Sequence, residues 1–282
     1  MMKKLFIAIS LLLFLATFNF AQTNTADWQT YRGNSEDFTA EFPAQPKTSE
    51  IKNPKGGYKE QIGDLYKSYF NKTFYFVIAC KSTACQQFEV VQNLKFKARN
   101  AENSQFTEKT LDDSVIETSF VDSEGFFQKI RQLKTDKIYF IVQTISEAPG
   151  SEDAERFFNS FRLNAADEKV LKAKQEKFRE RLVTEPFQIT PPTNTKTPAP
   201  SPTASNSSTT DKPVAKSVEI LTKPRANYTD AARIYEISGE VVLRVTFSAN
   251  EQVGSIMPLK KLPFGLTENA IAAAKGITFK PA

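Results

Sequence analysis

A stretch rich in proline, threonine and serine, residues 184–216, divides this chain into two parts. Its 33 residues hold seven of the fifteen prolines and a single aromatic residue, Phe187. A segment of this composition cannot bury enough apolar surface to offset the entropy lost on ordering. We therefore predict a disordered linker that gives the residues after it, 217–282, the reach of a tethered tip.

The first 21 residues have the pattern of an export signal. Two lysines precede an apolar run from Leu5 to Phe18, and we expect cleavage after Ala21. Counted through Ala21, the run has about 17 residues, the lower limit for spanning a bilayer. Retention as an N-terminal anchor is therefore the alternative. Both outcomes place the protein in the periplasm or cell envelope, with membrane contact only if the segment is retained.

Residues 27–163 combine strand and helix patterns and form the predicted body of the protein. Alternating or continuous apolar runs predict strands near residues 38–42, 65–70, 74–80, 106–111, 114–121, 125–133 and 137–146. Helical spacing predicts one helix over residues 85–100 and another that begins after Ser151. This order predicts an α+β domain with an antiparallel sheet and helices on one face.

Three segments of the body, FPAQP, IYFIVQTIS and DAERFFNSFRL, are similar to PsbP-like exported domains. That similarity implies a binding or assembly module without catalysis. After the body, residues 164–183 are predicted to form a charged helix, in which Glu168 and Lys172 are spaced for an i,i+4 ion pair.

The two cysteines, Cys80 and Cys85, are separated by four residues at the corner between a predicted strand and a predicted helix. An exported protein meets an oxidising compartment, so we predict a disulfide across this corner. Closing so short a loop stabilises a fold by about 2 kcal/mol. A redox-active pair is the alternative, whereas a metal site would need further soft ligands that are not in view.

Several functional classes lack their usual residues. The chain contains no histidine, which excludes Ser-His and Cys-His nucleophile pairs and the HExxH zinc helix. Phosphate-binding glycine motifs are also missing. The body carries 18 basic and 20 acidic residues, so its charge gives no footprint for nucleic acid. We predict no enzyme activity, no cofactor, no metal and no nucleic-acid partner.

Residues 217–282 begin with the pattern of a short helix followed by a strand. Thr229 is placed to cap the helix, and Gly239 supplies the left-handed residue expected to end it. The period then changes from 3.6 to 2, which predicts a half-buried strand with four apolar residues on one face: Val241, Leu243, Val245 and Phe247.

The second half of this segment repeats the order of strand and helix. A strand containing Val253 and Ile256 is followed by a helix that Thr267 is expected to cap and Gly276 to end. A last strand begins with Ile277 and Phe279. The sequence therefore predicts a small α+β module at the end of the chain.

This module resembles the C-terminal domain of TonB-type energy transducers. The resemblance rests on the approach from Pro224 to Tyr228, the strand GEVVLRVTF, the helix of residues 266–274 and the closing segment ITFKPA. It implies docking of outer-membrane receptors by strand addition, in which main-chain hydrogen bonds supply affinity. The residues it assigns to the docking module are Tyr228, Gly239, Val241, Phe247 and Phe279.

Two features depart from the family pattern. Lys223-Pro224-Arg225 stands where classical members carry a Gln-Pro pair. The final strand, which in the family follows FKPA and offers the pairing edge, is cut off at Ala282. The predicted module therefore lacks its final strand.

Together these patterns predict a cell-envelope adaptor that docks a partner through its C-terminal module to support transmembrane transport. Its partners would be envelope proteins, outer-membrane receptors among them. The alternative is a soluble periplasmic binding protein whose function lies in residues 27–163.

Overall fold

The computed structural model describes residues 26–176 and 218–281, apart from residues 36, 54, 56, 82–84, 113, 171, 174 and 175. The predicted signal, its cleavage after Ala21 and the linker 184–216 lie outside the described residues. Of the predicted charged helix, residues 165–170 are helical and residues 177–183 lie outside the described part. The described residues form the predicted α+β fold with antiparallel sheets.

The elements alternate between long runs of strands and a few helices. In chain order they are β1 (Gln29–Arg32), β2 (Phe38–Phe42), β3 (Lys47–Lys52), β4 (Gln61–Phe70), β5 (Thr73–Cys80), α1 (Gln86–Arg99), β6 (Thr107–Asp112), β7 (Val115–Val121), β8 (Phe127–Lys134), β9 (Tyr139–Ser146), α2 (Glu152–Ser160), β10 (Arg162–Leu163), β11 (Glu219–Thr222), α3 (Asp230–Ile234), β12 (Val242–Phe247), β13 (Val253–Lys260), α4 (Leu266–Lys275) and β14 (Thr278–Lys280). In the described stretches, no helix combines the length and apolar character needed to cross a membrane.

A seven-stranded antiparallel sheet is the framework of the body, with strand order β3-β4-β5-β9-β8-β7-β6. Asn71 and Lys72 join β4 to β5 with φ angles of 45° and 60°. Two left-handed residues give the turn a twist that matches the twist of the strands, so this hairpin is tight. Every residue of β5 is buried, which identifies it as a central strand covered on both faces.

The two faces of this sheet have different covers. Phe76 and Ile78 of β5 join the apolar cluster that includes α1, whereas Tyr75 and Val77 join the cluster that includes α2. The helices therefore lie on opposite faces, and the prediction of helices on one face was wrong. Because side chains alternate along each strand, both faces of this sheet are apolar and each must be covered.

The second face is closed by α2 together with a small sheet of order β1-β2-β10. Ser151 caps α2 by accepting a hydrogen bond of 3.1 Å from the backbone N–H of Ala154. The helix buries Phe157, whose ring lies 5.2 Å from the ring of Phe42 and 5.3 Å from that of Tyr75. This aromatic layer forms the core on that side.

The disulfide ties the end of β5 to the start of α1. Cys80 and Cys85 are both buried, and their Cα atoms are 6.2 Å apart. The bond therefore fixes the direction in which the chain leaves the central strand and enters the helix that covers the first face.

Reducing this disulfide is expected to lower the free energy of unfolding by about 2 kcal/mol, because the unfolded chain gains the entropy of the opened loop. Urea unfolding with and without reductant measures the effect. The double variant C80A/C85A is the control, and reductant should leave its stability unchanged. Equal stability of the oxidised and the fully reduced wild type, with reduction verified by mass, would contradict the prediction.

The C-terminal module contains two pairs of strands, β11-β14 and β12-β13, with α3 and α4 beside them. Two predicted boundaries were wrong. The first helix ends at Ile234, and Glu236 rather than Gly239 is the left-handed residue after it, with φ of 49°. The N–H of Ile237 bonds back to the carbonyl of Ala232 at 2.8 Å, which closes the helix early.

Thr267 was predicted to cap the second helix, and it lies inside that helix instead. The residue directly before the helix is Gly265, with φ of 80°. The Thr267 hydroxyl donates to the carbonyl of Leu262 at 2.8 Å and accepts from the Leu262 N–H at 2.9 Å. The side chain therefore closes the loop before α4, and the cap of α4 must come from elsewhere.

The C-terminal module packs against the first face of the body, so the expectation of a freely tethered tip is not met. Six buried residues of the module belong to the same apolar cluster as α1 and strands β5, β8 and β9: Ala232, Tyr235, Ile237, Leu262, Phe264 and Leu266. Polar contacts reinforce the interface. The Gln87 side chain donates to the carbonyl of Ile234 at 3.2 Å, and the Lys67 Nζ lies 3.5 Å from the Glu236 carboxylate.

Candidate partner-docking groove

A groove of about 930 Å³ runs across the C-terminal module on the side formed by β12 and α4. Its apolar lining is formed by Ile220, Val241, Leu243, Val245, Phe247, Ala270, Ala273, Ala274 and Ile277. The alternation of β12 supplies one wall, because its odd-numbered residues share one face. The alanines of α4 supply the other wall, and their small side chains leave the space open.

The strand that forms the first wall has one edge without a strand partner in the described part of the chain. Among the described residues, β12 pairs only with β13, so the ladder hydrogen bonds of its other edge have no strand partner. Unpaired backbone N–H and C=O groups on an edge strand are a template for an added strand. The groove therefore combines an apolar floor with unused main-chain hydrogen-bonding groups.

The structure separates the five predicted docking residues into two groups. Val241 and Phe247 line the groove, and Phe279 is buried with its ring 4.6 Å from that of Phe247. Tyr228 and Gly239 lie outside the groove. The Tyr228 hydroxyl donates to the carbonyl of Ile237, and a Cβ on Gly239 would lie 3.3 Å from the Leu262 side chain. These two residues shape the module where it meets the body.

Two cations stand at the rim of the groove, and the sequence pattern did not identify them as part of a site. Lys223 and Arg225 are exposed and line the groove, and no acidic residue of the described ranges joins them in the lining. Pro224 between them packs against the end of α4, because a Cβ placed on Gly276 would lie 3.2 Å from the Pro224 ring. That contact holds the segment, and with it both cations, at the mouth of the groove.

The cap of α4 comes from the body. Glu124, in the turn between β7 and β8, accepts backbone hydrogen bonds from Gly265 at 2.6 Å, Thr267 at 3.0 Å and Glu268 at 3.2 Å. A carboxylate at this position satisfies N–H groups that have no partner within the helix and complements the helix dipole. The wall of the groove is thus anchored to the body at its N-terminal end.

The surroundings of Glu124 raise the pKa of its side chain. Burial raises the pKa of its carboxyl to about 7, and the nearby carboxylates of Asp122 and Glu268 add to the rise, although the hydrogen bonds from Gly265 and Glu268 act in the opposite direction. Lys261 donates to the carbonyl of Glu124 at 3.0 Å. The anchor of α4 therefore changes its charge near neutral pH.

A buried polar chain connects this anchor to a second contact of the module. The Tyr235 hydroxyl donates to Gln143 at 3.0 Å, Gln143 donates to Gln128 at 2.9 Å, and Gln128 donates to Asp122 at 2.7 Å. Asp122 in turn accepts from the N–H of Glu124 at 3.0 Å. Both contacts of the module therefore meet in the turn between β7 and β8.

The comparisons with known proteins give little help. No protein-family model matches the chain, and no curated protein matches it. The solution structure of cyanobacterial PsbP (CyanoP) from Synechocystis sp. PCC 6803 is weakly similar to part of it, with 9% sequence identity and a TM-score of 0.28. That match covers 50% of this chain and 95% of the other. Neither the family models nor the curated proteins support the TonB-type resemblance, which stays a prediction.

Proposed function

We propose that this protein is a cell-envelope adaptor that docks an extended segment of a partner protein in the groove between β12 and α4. The observation that carries the proposal is that β12, which forms one wall of an apolar groove, has an edge that no described strand pairs with. An extended segment added to that edge would gain main-chain hydrogen bonds, and its alternate side chains would enter the groove. The partner class we propose is envelope proteins, outer-membrane receptors among them, in support of transmembrane transport.

The body has a supporting role in this proposal. One face of its large sheet is covered by α1 and the C-terminal module, and the other by α2 and the small sheet. The body thus presents the module in a fixed orientation, with the groove wall α4 held by Glu124. We therefore assign the docking to the groove rather than to the body.

Filling the groove is expected to abolish docking. The substitution Ala273→Phe places a bulky ring on the lining of the groove, and we expect it to weaken binding of a cognate segment by at least about tenfold through steric exclusion. The measurement uses the full chain and short peptides that cover the periplasmic segments of the source organism's outer-membrane receptors, with affinity determined by fluorescence anisotropy.

The matched control is Ala272→Phe, the same substitution on the exposed side of the same helix. It should bind like the wild type. A bound peptide with N-methylated backbone amides at alternate positions should also lose affinity, since strand addition needs those amides. The proposal fails if no receptor peptide binds, or if binding is equal in the two phenylalanine variants.

A further inference from the structure

We propose that the groove selects partner segments that carry acidic residues beside their apolar ones, and that Lys223 and Arg225 make this selection. The inference rests on the proposed function, because it specifies the chemistry of the segment that the groove accepts. It is carried by the charges at the groove rim and by the way the fold holds them there.

The two rim cations differ from the other basic residues of the module in their place on the groove lining. Arg233 lies 3.5 Å from Asp230, Lys280 lies 3.6 Å from Glu219, and Lys261 donates to the carbonyl of Glu124. For Lys223 and Arg225, the described part of the chain provides no ion pair. Arg244, Lys260 and Lys275 also have no ion pair among the described residues, but they lie outside the groove lining. Lys223 and Arg225 are therefore the unpaired cations that an occupant of the groove would meet.

The position of these cations is built into the fold. Pro224 fixes the backbone between them and packs on the end of α4, where Gly276 leaves room for its ring. The same segment, residues 223–226, contributes to the lining beside the apolar walls. An occupant that lies along β12 would therefore pass within reach of both positive charges.

The electrostatic contribution is to selection more than to affinity. Each exposed charge pair contributes little to the binding free energy. An acidic segment is attracted by both rim cations, however, and a basic segment is repelled by both, so the difference between their binding free energies is larger than either effect alone. We expect roughly tenfold discrimination between an acidic and a basic segment of otherwise equal sequence, and we expect it to shrink with added salt.

An anionic acyl chain would also match an apolar groove with a cationic rim. The open edge of β12 favours a peptide, because an acyl chain cannot use unpaired backbone N–H and C=O groups. The two occupants are separated by including laurate as a probe beside the peptides.

The test compares three synthetic peptides with one alternating valine–threonine sequence, flanked by two glutamates, two glutamines or two lysines. With the full chain, we expect the glutamate peptide to bind roughly tenfold more tightly than the lysine peptide. In the double variant K223Q/R225Q, the glutamine peptide should bind as before and the discrimination should disappear. The control K275Q neutralises a cation outside the groove lining and should retain it.

Equal binding of the three peptides to the wild type would overturn the selection by charge and leave the proposed docking intact. Discrimination that survives in K223Q/R225Q would overturn the assignment to these two residues. If none of the three peptides binds while a receptor peptide does, this inference fails and the proposed function stands. If no receptor peptide binds either, both fail. Binding of laurate without any peptide would identify a lipid site instead.

Discussion

Replacing Tyr235 with alanine is expected to lower the free energy of unfolding by about 3–5 kcal/mol, the usual loss for a fully buried aromatic residue. Tyr235 is completely buried between the module and the body. Its ring lies 5.3 Å from that of Phe76 in the central strand and 4.6 Å from that of Phe264. The substitution also leaves the buried Oε1 of Gln143 without the hydroxyl that donates to it, which adds to the loss.

Urea unfolding followed by circular dichroism measures the stability, and limited proteolysis shows which part of the chain opens. We expect protease sites in residues 218–281 to become accessible before those in the large sheet. Tyr228→Ala is the control, because Tyr228 belongs to the same module and is 42% exposed. It should cost about 1 kcal/mol, the loss of one hydrogen bond. Equal losses in the two variants would show that Tyr235 does not anchor the module.

Tyr235→Phe separates the ring from the hydroxyl. It keeps the aromatic packing against Phe76 and Phe264 and removes only the donor to Gln143. We expect a loss of about 1–3 kcal/mol, the cost of a buried polar group left without its partner. The difference in unfolding free energy between Tyr235→Ala and Tyr235→Phe then gives the part of the stabilisation that comes from packing of the ring.

The sequence predicted local structure well because its signals are local. The continuous apolar run of residues 74–80 predicts the central strand, and Ser151 with the acidic residues after it predicts the start of α2. Short strands with weak patterns escaped prediction, for example β1 and β10, which are held by pairing with β2. Their existence depends on a partner strand that is distant in the chain.

The docking of the module onto the body could not be predicted for a similar reason. Tyr235 has the spacing of an ordinary residue on one face of a short helix, and its true environment is formed by strands more than ninety positions earlier. Glu124 stands next to Gly125 in a hairpin turn, where an acidic residue is unremarkable in sequence. Its role as the cap of α4 exists only once the two parts of the chain meet.

The rim of the groove illustrates a further limit. In the sequence, Lys223 and Arg225 stand out only as a departure from a family pattern. Their place at the groove depends on Pro224 packing on Gly276. The apolar face of β12 was predicted correctly, and the alanines of α4 face it across the groove. What periodicity could not show is that these faces leave a groove between them.

The packing of the C-terminal module on the body is expected to lose stability as pH rises from about 5 to about 8, because of the carboxyl of Glu124. Burial raises the pKa of its carboxyl from the ordinary 4.5 to about 7, so the folded protein takes up a proton that the unfolded chain releases. This contribution is fully present below the unfolded pKa and is lost as pH rises through the folded pKa. Allowing for its partial exposure, we expect a change of about 2 kcal/mol.

Three charged groups face Glu124, one from the same turn, one from α4 and one from the loop before α4. Burial also raises the pKa of Asp122, the adjacent carboxylate in the same turn, so its ionisation adds to the loss. Glu268 of α4 opposes the negative charge, and Lys261 contacts the Glu124 carbonyl. The measurement is urea unfolding of the full chain at a series of pH values.

Glu124→Gln should flatten this profile, because the amide keeps an oxygen acceptor for the N–H groups of α4 and does not titrate. Glu124→Ala should lower stability at every pH by about 1–2 kcal/mol, the cost of a lost helix cap. Glu102→Gln changes an exposed glutamate near the same turn and should leave the profile of the wild type. Since Glu124 holds the wall of the groove, the peptide affinity of Glu124→Ala should fall as well. A wild-type profile that coincides with that of Glu124→Gln would show that this carboxyl does not control the docking of the module.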